Sequence, residues 1–84
     1  MQPSNDNYLR AMMLTHRETE VLRCVVLGFS SKEAARKLDK SPRTIDRYVE
    51  IVRFKLRAKN RTHMVARAVQ AGLLELSEDQ GFGS

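Results

Sequence analysis

An all-α fold of four helices is what this sequence predicts, and three observations carry the prediction. Serine and threonine caps stand ahead of each apolar run, and the apolar residues recur at three- and four-residue spacing. No segment alternates polar and apolar side chains as a half-buried strand does. At 84 residues and 42% hydrophobic the chain can bury one small core, although a domain this short is marginal alone. The expected organisation is a flexible leader over 1–13, a folded unit over 14–74 and an acidic, glycine-rich tail over 75–84.

The leader begins polar and turn-rich (MQPSNDN), and Tyr8, Leu9, Met12 and Met13 then hint at a short helical turn. The first helix opens at Thr15 with Glu18 three residues on. That pattern is a capping box, in which hydroxyl and carboxylate each satisfy an orphan backbone N–H. Val21, Leu22, Val25 and Val26 form its apolar stripe; Gly28 supplies a left-handed stop and Phe29 the contact that folds back. A second capping box, Ser30 to Glu33, starts a short helix whose Ala34, Ala35 and Leu38 face inward. Asp39 and Lys40 make a tight turn. Ser41 then caps the third helix, with Pro42 at the first position, where a missing N–H costs nothing. Two helices joined by so short a turn make a helix-turn-helix.

The third helix is the best-specified element. Ile45, Val49, Val52 and Leu56 fall at i, i+4, i+7 and i+11, and opposite them lie Arg43, Asp46, Arg47, Glu50, Arg53 and Arg57. Residues 42–56 span about 22 Å as a helix, long enough to lie in a groove and still anchor in a core. Asn60, which tolerates the left-handed region, is expected to end it. Tyr48 borders the seam and is expected to be half-buried with its hydroxyl outward; Phe54, off the seam, is expected to pack under the fourth helix. Thr62 is expected to cap that fourth helix, which carries Val65, Ala66, Ala68, Val69 and Ala71 and stops at Gly72-Leu73.

Charge is concentrated rather than spread. Residues 1–31 are neutral in sum, residues 32–67 carry twelve basic against four acidic side chains, net +8, and residues 68–84 are net −3. The overall +5 points to an anionic partner without naming one. Cys24 stands alone, so no intrachain disulfide or cysteine-rich metal site can form, and a small buried apolar side chain is the plain reading. His16 and His63 have no companions at ligand spacing, so no metal is expected. No phosphate-binding loop, zincin motif or nucleophile–base arrangement occurs, and neither an enzyme nor a cofactor is expected. With neither a signal peptide nor a membrane-spanning run in the sequence, a cytoplasmic location is expected.

Taken together, LTHRETEVL (14–22), GFSSKEAARKL (28–38), SPRTIDRYVEIVRFKL (41–56) and NRTHMVARAVQAGL (60–73) resemble the LuxR-type, GerE-like helix-turn-helix domain of bacterial transcription regulators. The resemblance covers residues 14–74 and includes the leading L-T-x-R-E, the G-x-S-x-K-E before the second helix and the late K-L and N-R pairs. It implies a duplex-DNA-binding output domain, nucleoid-associated when bound, whose third helix enters the major groove and whose fourth forms a two-fold dimer contact. Carried over by position, it makes Asp46, Arg47 and Glu50 base-facing and Lys32, Arg43, Thr44 and Arg61 backbone-facing. It places Val65, Ala68 and Val69 at the dimer seam. Ala34 stands where the family has a larger aliphatic residue, Tyr48 where it often has His, and Asp46 and Glu50 where many members carry Lys or Arg.

The residues themselves leave two readings of the third helix open. Mixed charges at i, i+3 and i+4 also stabilise plain solvated faces, and Arg43–Asp46, Arg47–Glu50 and Glu50–Arg53 all have that spacing. The short turn, the capped start and the basic block favour a reading helix. Arg47 can then donate to guanine O6 and N7, and Asp46 or Glu50 can accept from cytosine N4. Arg43 and Thr44 suit phosphate at the helix start, and Arg53 and Arg57, further along, suit phosphate better than bases. The acids would hold arginines in fixed poses and lower affinity for DNA in general.

Thirteen residues ahead of Leu14 leave no room for an upstream sensing domain, so either an excised output domain or a short stand-alone regulator is expected. Met1 favours the latter. The competing class is a protein-interaction adaptor acting on RNA polymerase or on another such regulator. A sigma-factor region-four module has a similar helix-turn-helix, but the LTHRE box favours the LuxR type.

Overall fold

In the computed structural model, which describes residues 10 and 12–72, four α-helices follow one another: α1 (His16–Val26), α2 (Ser31–Leu38), α3 (Pro42–Lys55) and α4 (Arg61–Gln70). No strand occurs among the described residues. The turn expected at Tyr8 and Leu9, Leu73 of the expected final stop, and the tail lie outside them.

The local punctuation explains where each helix begins. At α1 the Thr15 N–H donates to Glu18 Oε1 at 2.9 Å and the Glu18 N–H to Thr15 Oγ1 at 3.1 Å. Ser30 and Glu33 repeat this box at α2, at 2.8 and 3.1 Å. Ser41 accepts from the Thr44 N–H ahead of α3, with Pro42 at the first helical position. Gly28, at φ +90°, lets the Phe29 N–H reach Cys24 O and the Gly28 N–H reach Val25 O, which closes α1.

α3 is the hub, packed chiefly on α1 and α2. Its seam, Ile45, Val49, Val52 and Leu56, is buried with Val21, Leu22, Cys24 and Val25 of α1 and with Ala34 and Ala35 of α2. Burying each large aliphatic side chain contributes about 1.5–3 kcal/mol over leaving it exposed. Turning α3 about its axis would forfeit several such terms, so the seam fixes which face meets solvent. The small Ala34 is fully covered, and α2 rests close on the core.

One long-range ion pair joins the ends of two helices. Lys55 Nζ, at the end of α3, lies 2.8 Å from Glu18 Oε1 in the first turn of α1 and also donates to Met13 O at 3.3 Å. Burial pushes the Glu18 carboxyl up, but the Lys55 hydrogen bond, the Thr15 bonds and the Lys55 charge outweigh it and hold it below the ordinary value. Burial likewise pushes up the Cys24 thiol, which is free and enclosed.

Five expectations need correction. α3 ends at Lys55, short of the 42–56 expected, and Arg57, at φ +56°, takes the left-handed place expected of Asn60. There the Ala58 N–H returns to Arg53 O at 2.9 Å and the Arg57 N–H to Phe54 O at 3.1 Å, which this turn of the backbone allows. Asn60 is extended instead and caps α4 by accepting from the His63 N–H at 2.8 Å, so Thr62 falls inside the first turn rather than at the cap. Asn is the stronger cap, and it stands two residues earlier. Phe54 does not pack under α4: it lies about 200° round the helix from both Val52 and Leu56 and is 80% exposed. Ala68 is fully buried inside the monomer, together with Met64, so it faces the core rather than a dimer partner.

Candidate nucleic-acid interface

The face that the seam leaves outward carries Arg43, Asp46, Arg47 and Glu50, all exposed, at i, i+3, i+4 and i+7 along α3. Thr44 and Tyr48 are half-buried beside it, and with Arg47 and Ile51 they line a shallow cleft along the helix. Tyr48 packs against the core as expected.

Hydrogen bonding divides these side chains. Asp46 Oδ1 accepts from Ser31 Oγ of α2 at 2.5 Å. Glu50 accepts from Arg53 at 2.9 and 3.4 Å, and Arg53 also donates to Ala58 O at 3.0 Å. The Arg53 hydrogen bond and charge hold the Glu50 carboxyl below the ordinary range, and Glu50 raises the guanidinium in return. Of the three pairs that spacing allowed, only Glu50–Arg53 forms. Asp46 turns to Ser31 instead, and neither Arg43 nor Arg47 has an ion-pair partner among the described residues.

The remaining expected contacts are spread over the surface. Lys32 is exposed in the first turn of α2 and Arg61 at the first position of α4. Arg61 and Thr62 share a cleft with Gly28, Phe29, Ser30 and Ser31, so the structure brings the starts of α2 and α4 together. Arg57 lies past the end of α3, in a third cleft with Met13, Phe54 and Lys55. Val65 is half-buried and Val69 is 43% exposed on α4. Ser31 went unnoticed in the sequence; the available signal was the Ser-Ser pair itself, in which one hydroxyl suffices for the cap.

Among the described residues no group of acids, histidines and cysteines is placed to hold a metal, and no helix is long and apolar enough to cross a membrane.

The family model of the luxR family of bacterial regulatory proteins matches residues 12–68. The chain belongs to that family. The chain is 39% identical over 69 positions to the transcriptional regulatory protein FixJ of Rhizobium meliloti (strain 1021), covering 82% of this chain and 34% of that one. Identity to the transcriptional regulatory protein DesR of Bacillus subtilis (strain 168) is 37% over 67 positions, 80% of this chain and 34% of the other. The probable transcriptional regulator ycf29 of Pyropia yezoensis is 34% identical over 83 positions, 96% of this chain and 37% of its own length. This luxR-family chain thus spans about a third of the length of the curated relatives it matches. No solved structure gives a significant match.

Proposed function

We propose that this chain is a sequence-specific double-stranded-DNA-binding unit of a transcription regulator, with α3 and its flanks (42–57) in the major groove. The observation that supports this best is the outward face of α3, where Arg43, Asp46, Arg47 and Glu50 stand together on a helix whose rotation is fixed by its buried seam. In this reading Arg47 donates to guanine O6 and N7, and Asp46 or Glu50 accepts from cytosine N4. Arg43 and Thr44 take phosphate at the start of α3, while Lys32, Arg53, Arg57 and Arg61 contribute further along the backbone. Two copies dock through the outer side of α4, at Val65 and Val69, which sets two reading helices about 34 Å apart, one DNA turn.

The test is binding of the chain to mixed-sequence duplex at about 50 and about 200 mM salt. A fall of about a hundredfold or more between the two supports several phosphate contacts. Weak binding at both concentrations would sink the proposal and favour the adaptor reading. One feature speaks for that second reading: Met13 and the exposed ring of Phe54 share a cleft, which a protein partner such as RNA polymerase or another regulator could cover.

A further inference from the structure

Two adjacent serines open α2 and have different partners. Ser30 accepts from the Glu33 N–H and forms the cap. Ser31 is not required there. Its hydroxyl crosses to α3 and donates to Asp46 Oδ1, fifteen residues on in sequence, at 2.5 Å. Among the described residues this is the one side-chain hydrogen bond between α2 and α3; Ala34 and Ala35 make the apolar part of the α2 contribution to the core. Alanines set how closely two helices approach, but they cannot orient a carboxylate.

An exposed aspartate with no partner samples several rotamers, and fixing one on binding costs conformational entropy. A hydrogen bond made before DNA arrives lowers that cost, and Ser31 makes one. It takes one lone pair on Oδ1, and a carboxylate has about four acceptor sites over two oxygens, so Oδ2 stays available. The bond is neutral-to-charged and therefore strong for its size, yet it leaves the negative charge of Asp46 in place. A lysine or arginine at position 31 would cancel that charge; a serine does not.

We propose that Ser31 is a positioning residue that orients the Asp46 carboxylate so that its free oxygen accepts from an exocyclic amino group on the major-groove edge. The inference rests on α3 being the reading helix and on Asp46 facing the bases. Cytosine N4 and adenine N6 are the amino groups that edge offers.

The experiment is selection from a duplex library with a randomised centre, using the full 84-residue chain and sequencing the bound fraction. Asp46→Ala removes preference at one base pair per half-site. Ser31→Ala weakens preference at that same base pair by about five- to tenfold and leaves the other positions unchanged. Its affinity for mixed-sequence duplex stays within about twofold of wild type, because no phosphate contact is lost. Ser31→Thr restores the preference, and the double variant is no worse than Asp46→Ala alone. If the alanine variant melts early, the selection is repeated for all variants at a temperature where its melting curve shows it folded.

Undiminished preference in Ser31→Ala, at a position where Asp46→Ala loses it, overturns the inference and leaves the reading of α3 intact. Loss spread evenly over all base pairs overturns it as well, since the bond would then only stabilise the fold. Wild-type preference in Asp46→Ala removes Asp46 from the base contacts and the inference with it. Absence of any bound fraction for the wild-type chain removes DNA reading altogether.

Discussion

In the first half of α3, Arg43 and Arg47 reach solvent with no ion-pair partner among the described residues, whereas in the second half Arg53 and Lys55 are both held. Arg53 grips Glu50 and the Ala58 carbonyl; Lys55 grips Glu18 and the Met13 carbonyl. All four are basic and their uses differ. A cation already paired must give up that pair, or share it, before it can bind a phosphate. Because Glu18 lies outside residues 32–67, the net +8 of that stretch overstates by one the charge available to an anion. One end of the helix leaves its cations free, and the other uses them to hold the domain together.

The largest effect is expected at the held end. Glu18→Ala removes half of a capping box and leaves Lys55, itself partly buried, without its carboxylate. A cap alone is worth about 1 kcal/mol and a charge-assisted hydrogen bond about 1.5–3, so a loss of about 2 kcal/mol is expected in thermal or urea unfolding. Arg43→Ala and Arg47→Ala should stay within about 0.5 kcal/mol of wild type. Equal losses at both ends would erase the contrast. The Glu18 carboxyl sits below its ordinary value in the fold, so its contribution is present above the unfolded-state value and is lost as pH falls through the folded one. Melting points between about pH 6 and about pH 3 should drop more steeply for wild type than for Glu18→Gln, which has nothing to titrate there.

The features that were legible in the sequence are those that span three or four residues. Thr15 with Glu18 and Ser30 with Glu33 are bonded within single helical turns, as is Ser41 with Thr44 ahead of the marker Pro42, so spacing alone identifies them. The Ile45–Val49–Val52–Leu56 seam was legible because period and burial coincide. Glu18–Lys55 spans 37 residues, and nothing local marks either partner. Arg57 in the left-handed region was hidden for a related reason: the hydrogen bonds that end α3 demand that geometry whatever side chain stands there. Met64 escaped notice because the valines and alanines around it formed the more obvious stripe, although it is the α4 side chain that fills the core with Ala68. At the interface, the outward face was legible from the seam, but the partners of Asp46 and Glu50 were not. Helical spacing offered each acid an arginine; only Glu50 takes one, and Asp46 bonds across the turn to Ser31.

A smaller effect separates the two arginines that look most alike. Arg47→Ala should lower discrimination between the preferred site and mixed-sequence DNA by about tenfold, since a bidentate contact to guanine is worth about 1–3 kcal/mol. Arg53→Ala should leave that ratio unchanged. It should lower the melting point instead, because it frees Glu50 and the Ala58 carbonyl that close this end of α3. Titrations of both variants on selected and mixed duplex, beside their melting curves, decide between the roles. An Arg53→Ala variant that lost site preference would extend the reading surface past Glu50 and move the boundary between the two halves.

The smallest effect tests where the held end stops being structural. Phe54 comes from the same turn as Arg53 and Lys55, yet its ring is 80% exposed and packs into no core cluster. Phe54→Ser should therefore change unfolding free energy by no more than about 0.5 kcal/mol, the usual range for surface positions. Affinity for duplex DNA should also be unchanged, since the ring carries neither charge nor a donor for phosphate. A loss above about 1 kcal/mol would mean that the ring is buried in solution, against Met13 or a second copy, as burial of an aromatic side chain requires. Sedimentation at low and high protein concentration separates those cases, because only contact between copies depends on concentration. Unchanged stability and unchanged DNA binding leave the ring as surface that neither the fold nor the duplex uses, and this is where a protein partner would gain most from an apolar contact.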